Sequence, residues 1–199
     1  MLLPFGVYGE GVNSSKKAQE LVNQLAITDG SPQDKNSVAR ELVKMGEVAL
    51  PSLIKGLGDR RPSRPLYLVS EQFMTVSVAC TCILMELIYK LPDDYPGSLL
   101  RKGADGRMHR RPVFNSQIWG QLDEDEELKT WLGKRSSKSL KEIQIEAMSW
   151  IIKTEKKIGF QNDRERVQYV VPLEARLRTL QKEAEQADGK TPEASKPLH

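Results

Sequence analysis

The sequence predicts an all-α fold, built from stacked antiparallel helix pairs and too short to form a long solenoid. Apolar residues recur with helical spacing in every long apolar segment of the 199-residue chain. No stretch alternates apolar and polar residues for long enough to predict a strand. A chain of this length usually forms one domain, so we expect a single helical domain over residues 1–187. Residues 188–199 have the polar, proline-containing composition of a disordered tail.

The clearest element is a helix–turn–helix predicted over residues 34–58. The first helix carries an apolar stripe at intervals of four and three residues: Val38, Leu42 and Met45. Gly46 then stands where a helix commonly ends on a residue with positive φ. The second helix carries a stripe of the same helical spacing: Leu50, Leu53, Ile54 and Leu57. Pro51 lies in its first turn, where a missing N–H costs little.

The same segment carries a sequence pattern made of eleven small, apolar or turn-forming positions: Ala39, Leu42, Met45, Gly46, Ala49, Leu50, Pro51, Leu53, Ile54, Leu57 and Asp59. With this pattern, residues 36–59 resemble one unit of a HEAT-type repeat, similar to the short HEAT-like units of bacterial proteins and of phycobilin-lyase-type repeats. The resemblance implies α-solenoid stacking and a scaffolding or binding role. It implies no catalytic residues.

Two further helices are predicted on either side of this helix pair. One covers residues 15–26, with Asn13, Ser14 or Ser15 as its cap, and is expected to cover one side of the pair. The other begins after Thr75 and ends before Leu91 and Pro92. Because it is apolar nearly all round, we expect it to be buried.

The C-terminal part of the chain is predicted to hold three more helices. A short one follows the acidic cap Asp123 and ends at Gly133. The next begins at a capping box formed by Ser139 and Glu142, and ends at Gly159. The last extends over about 172–187. Residues 92–117, which are rich in proline and glycine, are predicted to be a long loop, and such loops are either functional or mobile.

Basic residues cluster in two loops, over residues 60–64 and 101–111. If these loops meet, they form a footprint for an anion or a nucleic acid. We favour the interpretation that they are solvated, because aromatic residues are not interleaved with the charge as single-strand binding favours. The net charge of +3 is also small for a dedicated nucleic-acid-binding protein.

Carboxylates offer two weaker candidates for enzyme chemistry. Glu86 is the one charge inside the apolar helix, and a buried carboxylate can act as an acid or base. Lys90 follows four residues later, so a helical ion pair is the preferred interpretation. The acidic run 123–127 suits the first turn of a helix through the helix dipole.

The remaining motifs give no support for a metal or a cofactor. Cys80 and Cys82 are spaced two apart in a helix, do not fit a zinc motif and are expected to be buried small hydrophobic residues. No nucleotide-binding or hydrolase motif occurs in the sequence. No uncharged stretch approaches the roughly 20 residues of a membrane span, and the N-terminus does not resemble a signal peptide. We therefore expect a cytoplasmic protein without cofactors, or an exported one if the true start lies upstream.

Taken together, these observations predict a non-enzymatic adaptor that binds a partner protein. Nucleic-acid or anion binding and an enzyme using Glu86 remain alternatives. The interaction surface is predicted in the loop 92–120, where arginines lie near a tryptophan, a composition favoured at interface centres. The predicted partner-binding residues are Arg107, Arg110, Arg111 and Trp119.

Overall fold

The computed structural model describes residues 8–28, 34–64, 74–89, 91, 95–96, 100–111 and 128–188, without the side chains of 8–12, 110, 187 and 188. Of these residues 71% are helical and 7% lie in strands, which confirms a mainly helical fold. The chain divides into two compact units where the sequence suggested one domain. Unit 1 comprises residues 1–90 and 114–140, and unit 2 comprises residues 91–113 and 141–199. The predicted tail lies outside the described residues apart from Asp188.

Unit 1 is organised around the predicted helix pair. Its described helices are α1 (Tyr8–Gln24), α2 (Lys35–Met45), α3 (Leu50–Gly56), α4 (Val76–Tyr89) and α5 (Leu128–Gly133), with a 3-10 turn over Gly46–Ala49. The helices α1 and α4 each pack against both α2 and α3. Within unit 1, the predicted pair is therefore packed against two further helices.

The ends of α2 and α3 are set by local side chains and by two predicted residues, Gly46 and Pro51. The side chain of Asp34 accepts a hydrogen bond from the backbone N–H of Asn36 at 2.9 Å and caps α2. Gly46 ends α2 with φ of 61°, as predicted. Pro51 lies in the first turn of α3, also as predicted. A 3-10 turn over Gly46–Ala49 joins α2 to α3, and α3 ends at Gly56, two residues before the predicted end of the pair.

The helix α1 begins earlier than the sequence predicted. It starts at Tyr8, so Asn13, Ser14 and Ser15 lie inside the helix and do not cap it. Gly9 and Gly11 explain the error, since each glycine in a helix costs about 1 kcal/mol relative to alanine. At α4 the predicted cap is present, because the N–H of Val78 donates to the hydroxyl oxygen of Thr75 at 3.3 Å.

A close contact between helices holds the centre of unit 1. A Cβ added at Gly56 would lie 2.5 Å from Sγ of Cys80 and 3.3 Å from a methyl group of Val22. Only a glycine at the end of α3 allows α1 and α4 to approach this closely. Burial raises the pKa of the Cys80 thiol to about 12, with smaller contributions from the charges of Asp59 and Cys82. Both cysteines are buried and free, as predicted.

Polar groups tie the end of α1 to the start of α2. The ammonium of Lys35 is buried and donates to the carbonyl oxygens of Gln24 and Ala26, the latter at 2.9 Å. Burial lowers the pKa of Lys35, and the charge of Arg64 lowers it further. Next to these carbonyls, Ser63 donates its hydroxyl to the oxygen of Leu25 at 2.7 Å. The short strands β1 (Pro62–Ser63) and β2 (Met74–Thr75) pair antiparallel beside them.

Unit 2 contains a β-hairpin and helices α6 (Leu140–Ile158), α7 (Asp163–Tyr169) and α8 (Val171–Asp188). Ion pairs join Lys141 to Glu183 and Lys156 to Glu174, so α6 and α8 are antiparallel. Gly159 ends α6 with φ of 73°, as predicted. The sequence did not predict α7, because none of its seven residues is buried and it shows no apolar stripe.

The hairpin is the main departure from the predicted all-helical pattern. Strands β3 (Leu100–Lys102) and β4 (Met108–Arg110) pair antiparallel within the segment predicted to be a loop. The register pairs Leu100 with Arg110, Arg101 with His109, and Lys102 with Met108. Alternation went unrecognised because the buried member of β3 is an arginine, whereas its exposed neighbour is a leucine.

Candidate functional site

The hairpin Leu100–Arg110 has a turn fixed by its own residues. The N–H of Gly103 donates to the carbonyl of Arg107 at 2.8 Å, and Gly106 has φ of 77°. The carboxylate of Asp105 accepts from the N–H of Arg107 at 3.0 Å and contacts Nε2 of His109 at 2.8 Å. These bonds lower the pKa of Asp105, with the His109 bond as the largest cause. The turn is therefore a defined structure inside the predicted loop.

The hairpin turn also closes the C-terminal end of α6. The N–H of Ala104 donates to the carbonyl oxygen of Ile158 at 3.2 Å. Nη1 of Arg101 donates to the carbonyl oxygen of Gly159 at 2.6 Å. A cation at this position interacts favourably with the negative end of the helix dipole. Gly103 is required for this contact, since a Cβ there would lie 2.8 Å from the Ile158 oxygen.

The inner side of the hairpin is anchored by one buried carboxylate, that of Glu155 on α6. Arg101 donates from Nε and Nη2 to Oε2 of Glu155, at 3.1 and 3.0 Å. Arg111, directly after β4, donates from Nε to Oε1 at 2.9 Å. The hydroxyl of Tyr95 also donates to Oε1, at 3.3 Å. Both carboxylate oxygens thus accept two hydrogen bonds, and we call Arg101, Arg111 and Glu155 the charged core.

Aromatic rings flank both guanidinium groups of the charged core. Arg101 lies 4.7 Å from the ring centroid of Phe160, and Arg111 lies 4.9 Å from that of Tyr95. The ring of Tyr169 contacts both, at 5.1 and 4.4 Å. Burial, and then the charge of Glu155, raises the pKa of Tyr95. Desolvated cation–π contacts of this kind contribute up to about 2 kcal/mol each.

The buried charges are nearly balanced by their immediate neighbours. The side chains of Arg101, Arg111 and Glu155 are almost completely removed from solvent. A second carboxylate, Glu165 on α7, lies 3.8 Å from Nη1 of Arg101 at the edge of the charged core. Such a network is strongly destabilised when one member is removed, because the remaining charges lose their partners inside the protein. The charged core therefore acts as the anchor of the hairpin.

The outer side of the hairpin is exposed and of mixed character. Leu100 and Met108 are 53% and 60% exposed, the highest values among the large apolar side chains of the described residues. Lys102 and Arg107 are exposed as well. We call Leu100, Lys102 and Met108, which share this side of the sheet, the outer face, and the exposed Arg107 lies in the adjoining turn. Because the inner side is anchored, the backbone of the hairpin would lose little conformational entropy on association with another molecule.

The structure bears differently on the four predicted partner-binding residues. Arg107 is exposed, and the side chain of Arg110 and the whole of Trp119 lie outside the described residues. The placement of Arg111 on an exposed surface is wrong, since its side chain is 0% exposed and bound to Glu155. Its charge is needed to balance a buried carboxylate, which is why it is not displayed to solvent.

Among the residues that the structure describes, the other sequence candidates do not come together in a second site. In the loop 60–64, Arg61 pairs with Asp59 at 2.6 Å, and its charge is therefore largely compensated. Glu86 is half-buried, and Lys90 lies outside the described residues, as does the acidic run 123–127. Within the described ranges, no three His, Cys, Asp or Glu residues lie close enough to hold a metal ion.

Sequence reasoning missed the residue on which unit 2 depends. Glu155 continues the apolar stripe of α6, four residues after Ile151 and eight after Ala147. A carboxylate in line with buried residues on a helix face predicts a buried acid, which needs a cation elsewhere in the chain. The sequence therefore contains a signal for a buried acid. It does not identify the two arginines that pair with this acid, because they lie more than forty residues away in sequence.

Compared with known proteins, the chain matches no family model, no curated protein and no solved structure at a significant level. Among the helices of the described ranges, none combines the length and the apolar character needed to cross a bilayer.

Proposed function

We propose that this chain is a non-enzymatic adaptor with a HEAT-like helical core, and that it binds a partner protein through the hairpin Leu100–Arg110. The observation that carries the proposal is the contrast between the two sides of this hairpin. Its inner side is fixed by the charged core, while Leu100 and Met108 on its outer side are more than half exposed. Exposed apolar side chains beside cations are typical of interaction sites.

The HEAT-like part of the proposal rests on the resemblance of residues 36–59 and on two features of unit 1. The pair α2 and α3 is covered by α1 and α4, as a stacked repeat unit would be. The glycine and proline of the pattern, Gly46 and Pro51, occupy the turn and the first helical turn that the pattern implies. In such folds recognition falls to outer faces and loops, which agrees with a hairpin as the contact element.

Three observations favour a protein partner over an anion or a nucleic acid. Arg101 and Arg111 are buried and paired with Glu155, and Arg61 is paired with Asp59. The basic clusters seen in the sequence therefore present fewer available charges than their composition suggests. Aliphatic residues, instead of aromatic ones, accompany the remaining cations on the outer face.

The test is affinity purification of the tagged full chain from cells of its source organism, compared between two double variants. The first variant, Leu100→Ser with Met108→Ser, removes the apolar part of the outer face. The matched control, Val167→Ser with Val171→Ser, removes two aliphatic side chains of unit 2 that are 46% and 38% exposed. We expect partner recovery to fall by about tenfold or more in the first variant only, since loss of an interface anchor costs over about 1 kcal/mol per residue.

Equal recovery by both variants would show that the hairpin is not the contact element. Retention of the wild-type chain on heparin that is lost with Lys102→Glu, without any recovered protein, would instead establish the anion-binding alternative.

A further inference from the structure

The outer face of the hairpin has a regular arrangement of apolar and cationic positions. Cross-strand partners share one face of a two-stranded sheet, so Lys102 lies directly opposite Met108, and Leu100 lies opposite position 110. Leu100 and Met108 are consequently diagonal neighbours, and Lys102 shares their face. Along β3, Leu100 and Lys102 are two residues apart, which corresponds to about 7 Å.

The charge of this face is positive because its counter-charges are used elsewhere. Residues 100–111 contain five arginine or lysine residues and a single acid, Asp105. Two of the five, Arg101 and Arg111, are buried and paired with Glu155 beneath the hairpin. The acid itself is bound by His109 and by the backbone of Arg107. An acidic partner would therefore meet a complementary field at the outer face.

The chemistry of the face distinguishes a protein from a single-stranded nucleic acid. Bases are bound by stacking on aromatic rings beside cations. Here the rings of Tyr95, Phe160 and Tyr169 are used on the inner side, where they enclose the guanidinium groups of the charged core. The outer face offers leucine and methionine, which are apolar and suit aliphatic side chains of a protein, and the methionine is also flexible and polarizable.

We propose that the outer face, formed by Leu100, Lys102 and Met108, together with Arg107 in the adjoining turn, binds an acidic protein segment in an extended conformation, with aliphatic residues alternating with its carboxylates. An extended chain places alternate side chains about 7 Å apart on one side, which matches the spacing of Leu100 and Lys102 on β3. This inference rests on the proposed function and specifies the chemistry of its partner.

The test is an unbiased selection of displayed random peptides on the folded full chain. Peptides of about ten residues suffice, because an extended chain rises about 3.3 Å per residue and ten residues are longer than either three-residue strand of the hairpin. Peptides that also bind the variant Leu100→Ser with Met108→Ser are removed, because their binding does not depend on the outer face. Peptides that do not bind the Val167→Ser, Val171→Ser control are discarded as well, because their binding depends on residues outside the hairpin. Wild-type chain and variants are first compared by circular dichroism and thermal unfolding, to confirm that the charged core is intact.

We expect the selected peptides to carry net negative charge with aliphatic residues at alternate positions. Their affinity should fall by about tenfold or more with Lys102→Glu or Arg107→Glu, and should decrease with added salt. Neutral or basic peptides among the binders, or no peptide that depends on the outer face, would overturn the inference. So would a single-stranded RNA of about 16 nucleotides that binds more tightly than any peptide and depends on Lys102.

Failure here is distinguishable from failure of the proposed function. Partner recovery that depends on Leu100 and Met108, combined with selected peptides that are not acidic, leaves the hairpin as a contact element and removes only the acidic segment. Recovery that does not depend on the hairpin removes both.

Discussion

The two units differ in the interactions that hold their elements together. Around α2 and α3 in unit 1, buried positions are mainly aliphatic, such as Leu42 and Leu53, and the helices approach through a glycine at Gly56. In unit 2, the hairpin is held by a buried carboxylate and two buried arginines. Apolar burial is non-directional and tolerates small errors of geometry. A buried ion network requires each partner to be in place, because a charge left without its partner inside the protein is strongly destabilising.

The largest expected effect comes from removing the central charge of unit 2. Glu155→Gln keeps the size of the side chain but leaves Arg101 and Arg111 buried without their common counter-charge. We expect a loss of about 3–5 kcal/mol in the free energy of unfolding, as is found when one partner of a buried ion pair is removed. Hydrogen exchange of α6, followed by mass spectrometry, measures this locally in unit 2.

The matched control for this variant is Glu165→Gln. Glu165 also lies near Arg101, at 3.8 Å, but its side chain is 24% exposed. Partly exposed pairs contribute about 1 kcal/mol or less, so its exchange should change little. If the two variants are equally stable, Glu155 does not anchor the hairpin, and the contrast between the units is lost.

This contrast explains which parts of the fold the sequence predicted. The helix pair at 34–58 and α4 were predictable, because their buried residues are apolar and recur at helical intervals. The hairpin was not, since its buried residue is Arg101 and its exposed ones are Leu100 and Met108, the reverse of the usual alternation. The sequence analysis placed Arg107 and Arg111 together in one exposed candidate site. Arg107 is exposed, but Arg111 is buried against Glu155, because composition does not reveal which arginine faces a buried acid.

The next effect tests close packing in unit 1. Gly56→Ala adds a methyl group 2.5 Å from Sγ of Cys80, and the helices must move apart to accommodate it. We expect a loss of about 1–3 kcal/mol in the free energy of unfolding, measured by urea denaturation, which is the usual cost of overpacking. Gly58→Ala is the control, since an added Cβ there has no neighbour within 4 Å. A loss of stability shared by both variants would point to the backbone, and not to the contact between α3 and α4.

Each unit contains a buried tyrosine that makes its stability depend on pH in the alkaline range. Burial raises the pKa of Tyr89 in unit 1 and, with the charge of Glu155, that of Tyr95 in unit 2, both above the ordinary value of 10.0. Above that pH the unfolded chain releases a proton that the folded chain keeps, so stability falls as pH rises. The loss is about 1.4 kcal/mol per pH unit and per tyrosine, until the folded-state pKa is reached.

Substitution by phenylalanine separates the two contributions. Tyr89→Phe should reduce the pH dependence of exchange in α4, whereas Tyr95→Phe should reduce it in α6, measured between neutral pH and about pH 11. An unchanged slope for either variant would show that the corresponding hydroxyl ionises equally easily in the folded and unfolded chain.

The smallest effect on stability belongs to the outer face of the hairpin, and its smallness is informative. The hydrogen bonds and ion pairs of the charged core arise from Arg101, Arg111 and Glu155, on the opposite side of the sheet. The variant Leu100→Ser with Met108→Ser removes side chains that are already more than half exposed, so the free energy of unfolding should change by less than about 0.5 kcal/mol. Urea denaturation measures this change, and Arg107→Glu should behave in the same way. Arg111→Glu, in contrast, places a carboxylate against Glu155 and should unfold the hairpin, although both positions belong to the same basic stretch of sequence. A marked loss of stability in the outer-face variant would mean that Leu100 and Met108 help to hold the fold, and a binding role for this face would then lose its main support.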